Sequence, residues 1–194
     1  MKRNTKHVVT LAMLAAVSVL LMYLVRFPIF PAAPFLEYDM ADVPILIGTF
    51  LLGPISGLIL TVVVSIIQAM TVSASSGWIG AVMHICATGG FVIAAGLIYG
   101  KFRTRKGAAA ALITGSLIMT LLMIPLNLIF TVRFLGAPRE VVVAMLVPTI
   151  IPFNLIKGFA NSIITFAVYK SVARVLRMQA AEKKTQDTSP SYPG

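Results

Sequence analysis

Three of the chain's six acidic residues fall in one short stretch, PFLEYDMADVP, at Glu37, Asp39 and Asp42. A second polar set stands in the apolar run IIPFNLIKGFANSIITF, where Asn154, Lys157 and Asn161 are spaced i, i+3 and i+7. On a helix that spacing keeps them within an arc of about 60°, so they share one face. Asn127 follows Pro125 by two residues in another apolar run. Carboxylates accept hydrogen bonds, the Lys157 ammonium donates them, and carboxamides do both. The asparagine amides suit a neutral heterocycle or a polyol better than a metal ion, and Tyr38 between two acids offers an aromatic face. An intramembrane lysine is expected to have a partner, because burying it alone costs about 2.5–3.5 kcal/mol on insertion scales. His84 and Cys86 lack the companion ligands a metal needs and read as a packed interior pair. No Ser, His and Asp stand at a common depth, so acyl transfer is not indicated, and the sequence reads as that of a non-enzyme. It carries neither GxxxxGK[ST] nor GxGxxG after a strand, so no nucleotide site or cofactor is expected.

The elements that must position these residues are membrane helices. With 58% hydrophobic residues, 11% charged and a mean hydropathy of +0.94, the composition lies far outside that of soluble domains. Apolar runs over about 8–27, 43–52, 55–72, 78–99, 108–130 and 147–175 predict six spans. The second is short: ten residues cover only about 15 Å of a hydrocarbon core of about 30 Å. Asp42 is expected to cap it, Pro44 to sit in its first turn, and Gly53-Pro54 to end it.

Basic residues stay on the cytoplasmic side of short loops, and this fixes the count. With six crossings and both termini inside, Lys2, Arg3, Lys6, the run KFRTRK at 101–106, Lys170, Arg174, Arg177, Lys183 and Lys184 all fall on the inner side. Arg26, Arg133, Arg139 and Lys157 are left outside or in the outer half. Were 43–52 to turn back, KFRTRK would be external. The net charge of +10 follows from this topology and from attraction to anionic lipid; nucleic acid is not implied. The expectation is an all-α six-helix bundle over 1–177 with a disordered cytoplasmic tail over 178–194. The PFLEYDMADVP stretch then lies outside, stiffened by Pro28, Pro31 and Pro34, as a lid over a site between the helices. Ala12 and Ala16 form a small-xxx-small pair on the first span, and Ala111 and Gly115 repeat the spacing on the fifth; such faces permit close helix approach.

PFLEYDMADVP, Asn127 after Pro125, FNLIKG with Asn154 and Lys157, and the Ala12/Ala16 pair together resemble the riboflavin-specific substrate-binding component of energy-coupling factor vitamin transporters. The resemblance covers residues 1–177. It implies a subunit that binds riboflavin from outside and works with a transmembrane coupling subunit and two cytoplasmic ATPase subunits in the cytoplasmic membrane of Gram-positive bacteria. It further implies substrate contacts from Glu37, Tyr38, Asp39, Asn127, Asn154 and Lys157, and a coupling-subunit contact at Ala12 and Ala16. A component for another vitamin, or a carrier working alone, remains open from the residues. A lone carrier would need an ionisable relay, and the third to fifth spans contain no Asp or Glu.

Overall fold

The computed structural model describes residues 2–31, 33–74 and 76–188, and it is helical apart from one small hairpin. Helix α1 (Lys2–Leu24) leads into strands β1 (Arg26–Pro28) and β2 (Glu37–Asp39), followed by α2 (Asp42–Leu52), α3 (Pro54–Met70) and α4 (Gly77–Lys101). Then α5 (Arg105–Leu126) passes through a π-helical turn (Asn127–Thr131) into the single turn α6 (Val132–Leu135). Likewise α7 (Arg139–Met145) passes through a second π-helical turn (Leu146–Ile150) into α8 (Ile151–Thr188).

Among the described residues, four helical stretches are long and apolar enough to cross a membrane: Thr5–Leu24, Gly77–Lys101, Arg105–Leu135 and Arg139–Val172. The other two apolar helices, Asp42–Leu52 and Pro54–Met70, are shorter. Gly53, with φ 95°, breaks the chain between them, and Pro54 starts α3, where its missing N–H costs nothing. At the start of α5 the Thr104 hydroxyl accepts from the Gly107 N–H at 3.0 Å, an N-cap beside the basic run.

In lipid, helices gain little from the hydrophobic effect against one another, so close packing and interhelical hydrogen bonds hold the bundle. The core gathers Met22 of α1, Ile45 and Leu46 of α2, Leu60 and Val64 of α3, Phe91 and Val92 of α4, and Leu112 of α5. Small residues set the helix distances: a Cβ at Gly115 would overlap the Phe91 ring, and one at Gly57 would lie 2.6 Å from Val92 Cγ1. At the opposite end from the hairpin, Phe50 stacks on Tyr99 with centroids 4.2 Å apart, and Tyr169 meets Phe50 edge-on at 5.5 Å.

The structure departs from the sequence expectations in four places. Residues 131–146, read as mostly loop, are helical except around Gly136–Pro138, where Gly136 adopts the left-handed conformation at φ 60°. The disordered tail expected from 178 is helical to Thr188; residues 189–194 lie outside the described residues. Asp42 is the first residue of α2 rather than its cap: Ala41 holds the cap position and no side chain caps the helix. Finally, Cys86 is exposed, so it forms no interior pair with His84.

Candidate functional site

The acidic stretch is part of a two-stranded antiparallel hairpin in which Arg26 faces Asp39, Phe27 faces Tyr38 and Pro28 faces Glu37. Its far end is pinned by apolar contact: Ala33 and Leu36 pack with Val142 of α7, Ile150 and Phe153. The prolines limit the conformations available to the loop before folding, which lowers the entropy lost on fixing it. The hairpin therefore lies across the ends of the helices rather than projecting from them.

Beneath it is a cavity of about 350 Å³. That lies within the range of small-molecule sites, which are mostly apolar with a few placed polar groups. Phe35, Phe134, Phe153, Met83, Met119 and Met123 supply an apolar, partly aromatic lining. The polar lining includes Glu37 and Asp39 of the hairpin, Asn127 of the first π-helical turn, and Asn154 and Lys157 of α8. These five expected site residues thus share one cavity. The sixth, Tyr38, does not line it; it is buried and its hydroxyl donates to Asn161 Oδ1 at 2.9 Å. Burial is the largest influence on that phenol and raises its pKa above the usual value, against the pull of the Lys157 ammonium.

Lys157 does not snorkel to the surface. Its Nζ donates to Asp39 Oδ2 at 2.7 Å, with the residues 9% and 2% exposed. Asp39 Oδ1 accepts from the Ala41 N–H at 3.0 Å, which bends the chain from β2 into α2. Both asparagines bond back to their own helices: Asn127 Nδ2 donates to the Met123 carbonyl at 2.7 Å and Asn154 Nδ2 to the Ile150 carbonyl at 2.8 Å. These bonds fix the amide planes. Asn127 Oδ1 already accepts from Thr131 at 2.8 Å, whereas no hydrogen bond among the described residues reaches Asn154 Oδ1. At the rim Arg26 Nε donates to Glu37 Oε2 at 2.8 Å, and both residues line the cavity.

Several lining residues were not singled out from the sequence as site residues: Arg26, Ser65 and Gln68 on α3, and His84 and Thr88 on α4. The available signal was polar spacing in otherwise apolar helices, i, i+3 for Ser65 and Gln68 and i, i+4 for His84 and Thr88. Among the described residues, no three His, Cys, Asp or Glu side chains come together as a metal site would require. Ala12 and Ala16 do not line this cavity: they lie on an exposed strip of α1 with Val9, Met13, Val17 and Leu20, while Leu14, Ser18 and Met22 face the bundle.

A family model for the ECF transporter substrate-specific component matches residues 6–169. The riboflavin transporter RibU of Staphylococcus aureus (strain TCH60) is 30% identical over 184 residues, covering 90% of this chain and 94% of that protein. The riboflavin transporter FmnP of Bacillus subtilis (strain 168) is 29% identical over 175 residues, covering 86% and 91%. A solved structure of the S component of a bacterial ECF transporter superposes with a TM-score of 0.76 at 32% identity, covering 89% of this chain and 98% of that one. With the family model spanning residues 6–169 and a relative 30% identical over nine-tenths of the chain, this chain belongs to the family of substrate-specific components of ECF transporters.

Proposed function

We propose that the protein is the riboflavin-binding subunit of an ATP-driven vitamin uptake transporter in the bacterial cytoplasmic membrane. The observation that carries this reading is a cavity that pairs an aromatic and methionine lining with placed polar groups, Asp39, Asn127, Asn154 and Lys157 among them. Riboflavin has the matching division, a dimethylbenzene end and a dioxopyrimidine edge of two carbonyls and an imide N–H. Its ribityl chain adds hydroxyls that both donate and accept. Lys157 and the free N–H of Asn154 suit the carbonyls; Asn154 Oδ1 and the acids Glu37 and Asp39 suit the N–H and the hydroxyls. The names of the relatives support the same ligand.

In this reading the chain crosses the membrane six times with both termini cytoplasmic, so the hairpin covers an externally facing cavity. The short helices α2 and α3 make the second and third crossings, supported by the positive-inside placement of KFRTRK. The exposed Ala12/Ala16 strip meets a transmembrane coupling subunit, and two ATPase subunits on the cytoplasmic side supply the energy. Transport requires no chemistry on the vitamin, so the subunit has a binding role and no catalytic one. The test is riboflavin titration of detergent-purified protein, followed by flavin fluorescence. A saturable fall is expected with a dissociation constant at or below roughly the nanomolar range, about 12 kcal/mol of binding. Absence of saturable quenching at micromolar riboflavin removes the assignment.

A further inference from the structure

A chain of hydrogen bonds, part-buried at His84 and buried beyond it, runs from the wall of α4 to the hairpin. His84 Nδ1 lies 2.7 Å from Ser65 Oγ of α3, and His84 Nε2 lies 3.1 Å from Asp42 Oδ1 of α2. A carboxylate only accepts, so Nε2 carries the proton and donates. Thr88 Oγ1 donates to the same oxygen at 3.3 Å. The other oxygen, Asp42 Oδ2, accepts from Asn161 Nδ2 of α8 at 3.3 Å. Asn161 Nδ2 also donates to the backbone carbonyl of Asp39 at 3.2 Å, and Asn161 Oδ1 accepts from the Tyr38 hydroxyl at 2.9 Å. Asn161 thus grips strand β2 twice, and Asp42, held by His84 and Thr88, fixes Asn161. Asp42 is 1% exposed and Asn161 fully buried. Neither lines the cavity.

We propose that His84 is a positioning residue for ligand binding: through Asp42 and Asn161 it locks the hairpin strand that carries Asp39, and so sets how long the ligand is retained. The inference rests on the riboflavin reading for its binding readout and on the hairpin alone for its second readout. A residue with one edge on the cavity could instead act by touching the ligand directly. The two roles separate because the two ring nitrogens have different partners. Asn at position 84 places its amide near Nδ1 and keeps the Ser65 bond while losing Asp42; Gln reaches the Nε2 position and keeps a donor to Asp42.

The experiment compares His84→Asn, His84→Gln, Tyr38→Phe and the double variant Tyr38→Phe/His84→Asn. Riboflavin dissociation rates and, in ligand-free protein, hydrogen exchange of the amides at 36–41 are measured. Loss of one bond to a buried carboxylate is worth about tenfold, so His84→Asn is expected to release riboflavin about tenfold faster and to exchange faster across the hairpin. His84→Gln is expected to stay within about threefold of the parent on both measures, the range left by imperfect geometry. Because the positions share one chain, the double variant is expected to fall well short of the product of the single effects. Equal effects of Asn and Gln, or multiplicative effects with Tyr38→Phe, overturn the proposal in favour of direct contact. If His84→Asn does not fold, Tyr38→Phe, which loses a single hydroxyl of a residue outside the cavity lining, decides it: unchanged hairpin exchange overturns it. Failure of the parent protein to bind riboflavin refutes the substrate reading instead, and leaves the exchange result to judge the positioning role.

Discussion

Replacing Lys157 by Met keeps the length of the side chain and deletes its charge, leaving the Asp39 carboxylate at 2% exposure with the Ala41 N–H and a long 3.5 Å contact from Gln68 Nε2. At the 2.7 Å separation of the pair, the Coulomb attraction is about 6 kcal/mol for an effective dielectric near 20. Desolvation of the two ions offsets most of that, several kcal/mol for each. The pair therefore adds little net stability, yet removing one member strands the other, at a cost of about 3–5 kcal/mol. At roughly 2–4 °C per kcal/mol for a chain of this size, the melting temperature of Lys157→Met in detergent falls on the order of 10 °C. Adding Asp39→Asn removes the stranded charge and is expected to recover most of the loss. Riboflavin affinity is not expected to recover in the double variant, because two polar groups of the cavity wall have been altered. An unchanged melting temperature in Lys157→Met would refute the buried pair. Recovery of both stability and affinity in the double variant would refute a ligand contact for Lys157.

Three further outcomes are expected. Ala16→Trp projects a ring from the exposed strip of α1 and abolishes riboflavin uptake by cells carrying the partner subunits while leaving purified protein able to bind, since Ala16 is exposed and absent from the cavity lining; parallel loss of both activities would place the strip inside the bundle. Gly115→Ala forces a methyl group into the Phe91 ring and lowers stability by about 1–3 kcal/mol in thermal unfolding, as overpacking does; an unchanged transition would mean that α4 and α5 separate freely. Trp78, the chain's one tryptophan, is next to Ile79 of the cavity lining, so its emission falls as riboflavin binds through energy transfer to the flavin, and the signal disappears in Trp78→Phe.

The apolar helices were legible because apolar runs of this length have few other uses, and the boundaries of α2 and α3 were marked by Asp42 and by Gly53-Pro54. Five of the cavity's polar residues could be named in advance because Glu37 and Asp39 are rare acids in this chain, while Asn127, Asn154 and Lys157 interrupt apolar helices. What the sequence hid was direction. Nothing local says that Asp42 turns inward to His84 rather than capping its helix, or that Tyr38 turns from the cavity to Asn161; both choices depend on α4 and α8, which are remote in sequence. The helical path from Arg139 was likewise hidden, because the last apolar run reads from 147, whereas the structure enters it from α7 through a π-helical turn that holds Pro148.

Those π-helical turns make the outer rim of the cavity sensitive to residue count. A turn closed by i to i+5 bonds holds one residue more than an α-turn, so everything beyond it is advanced by about 100° relative to an unbroken helix. Phe134, which lines the cavity, stands just past the turn Asn127–Thr131. A one-residue deletion inside that turn would let α5 continue as regular α-helix and swing Phe134 out of phase with Asn154 and Lys157, with every lining side chain still present. The same deletion at Gly136–Pro138, beyond the phase step, would leave Phe134 facing the cavity. Among relatives of differing length here, the position of a gap therefore says more about the shape of the pocket than the identity of the residues beside it.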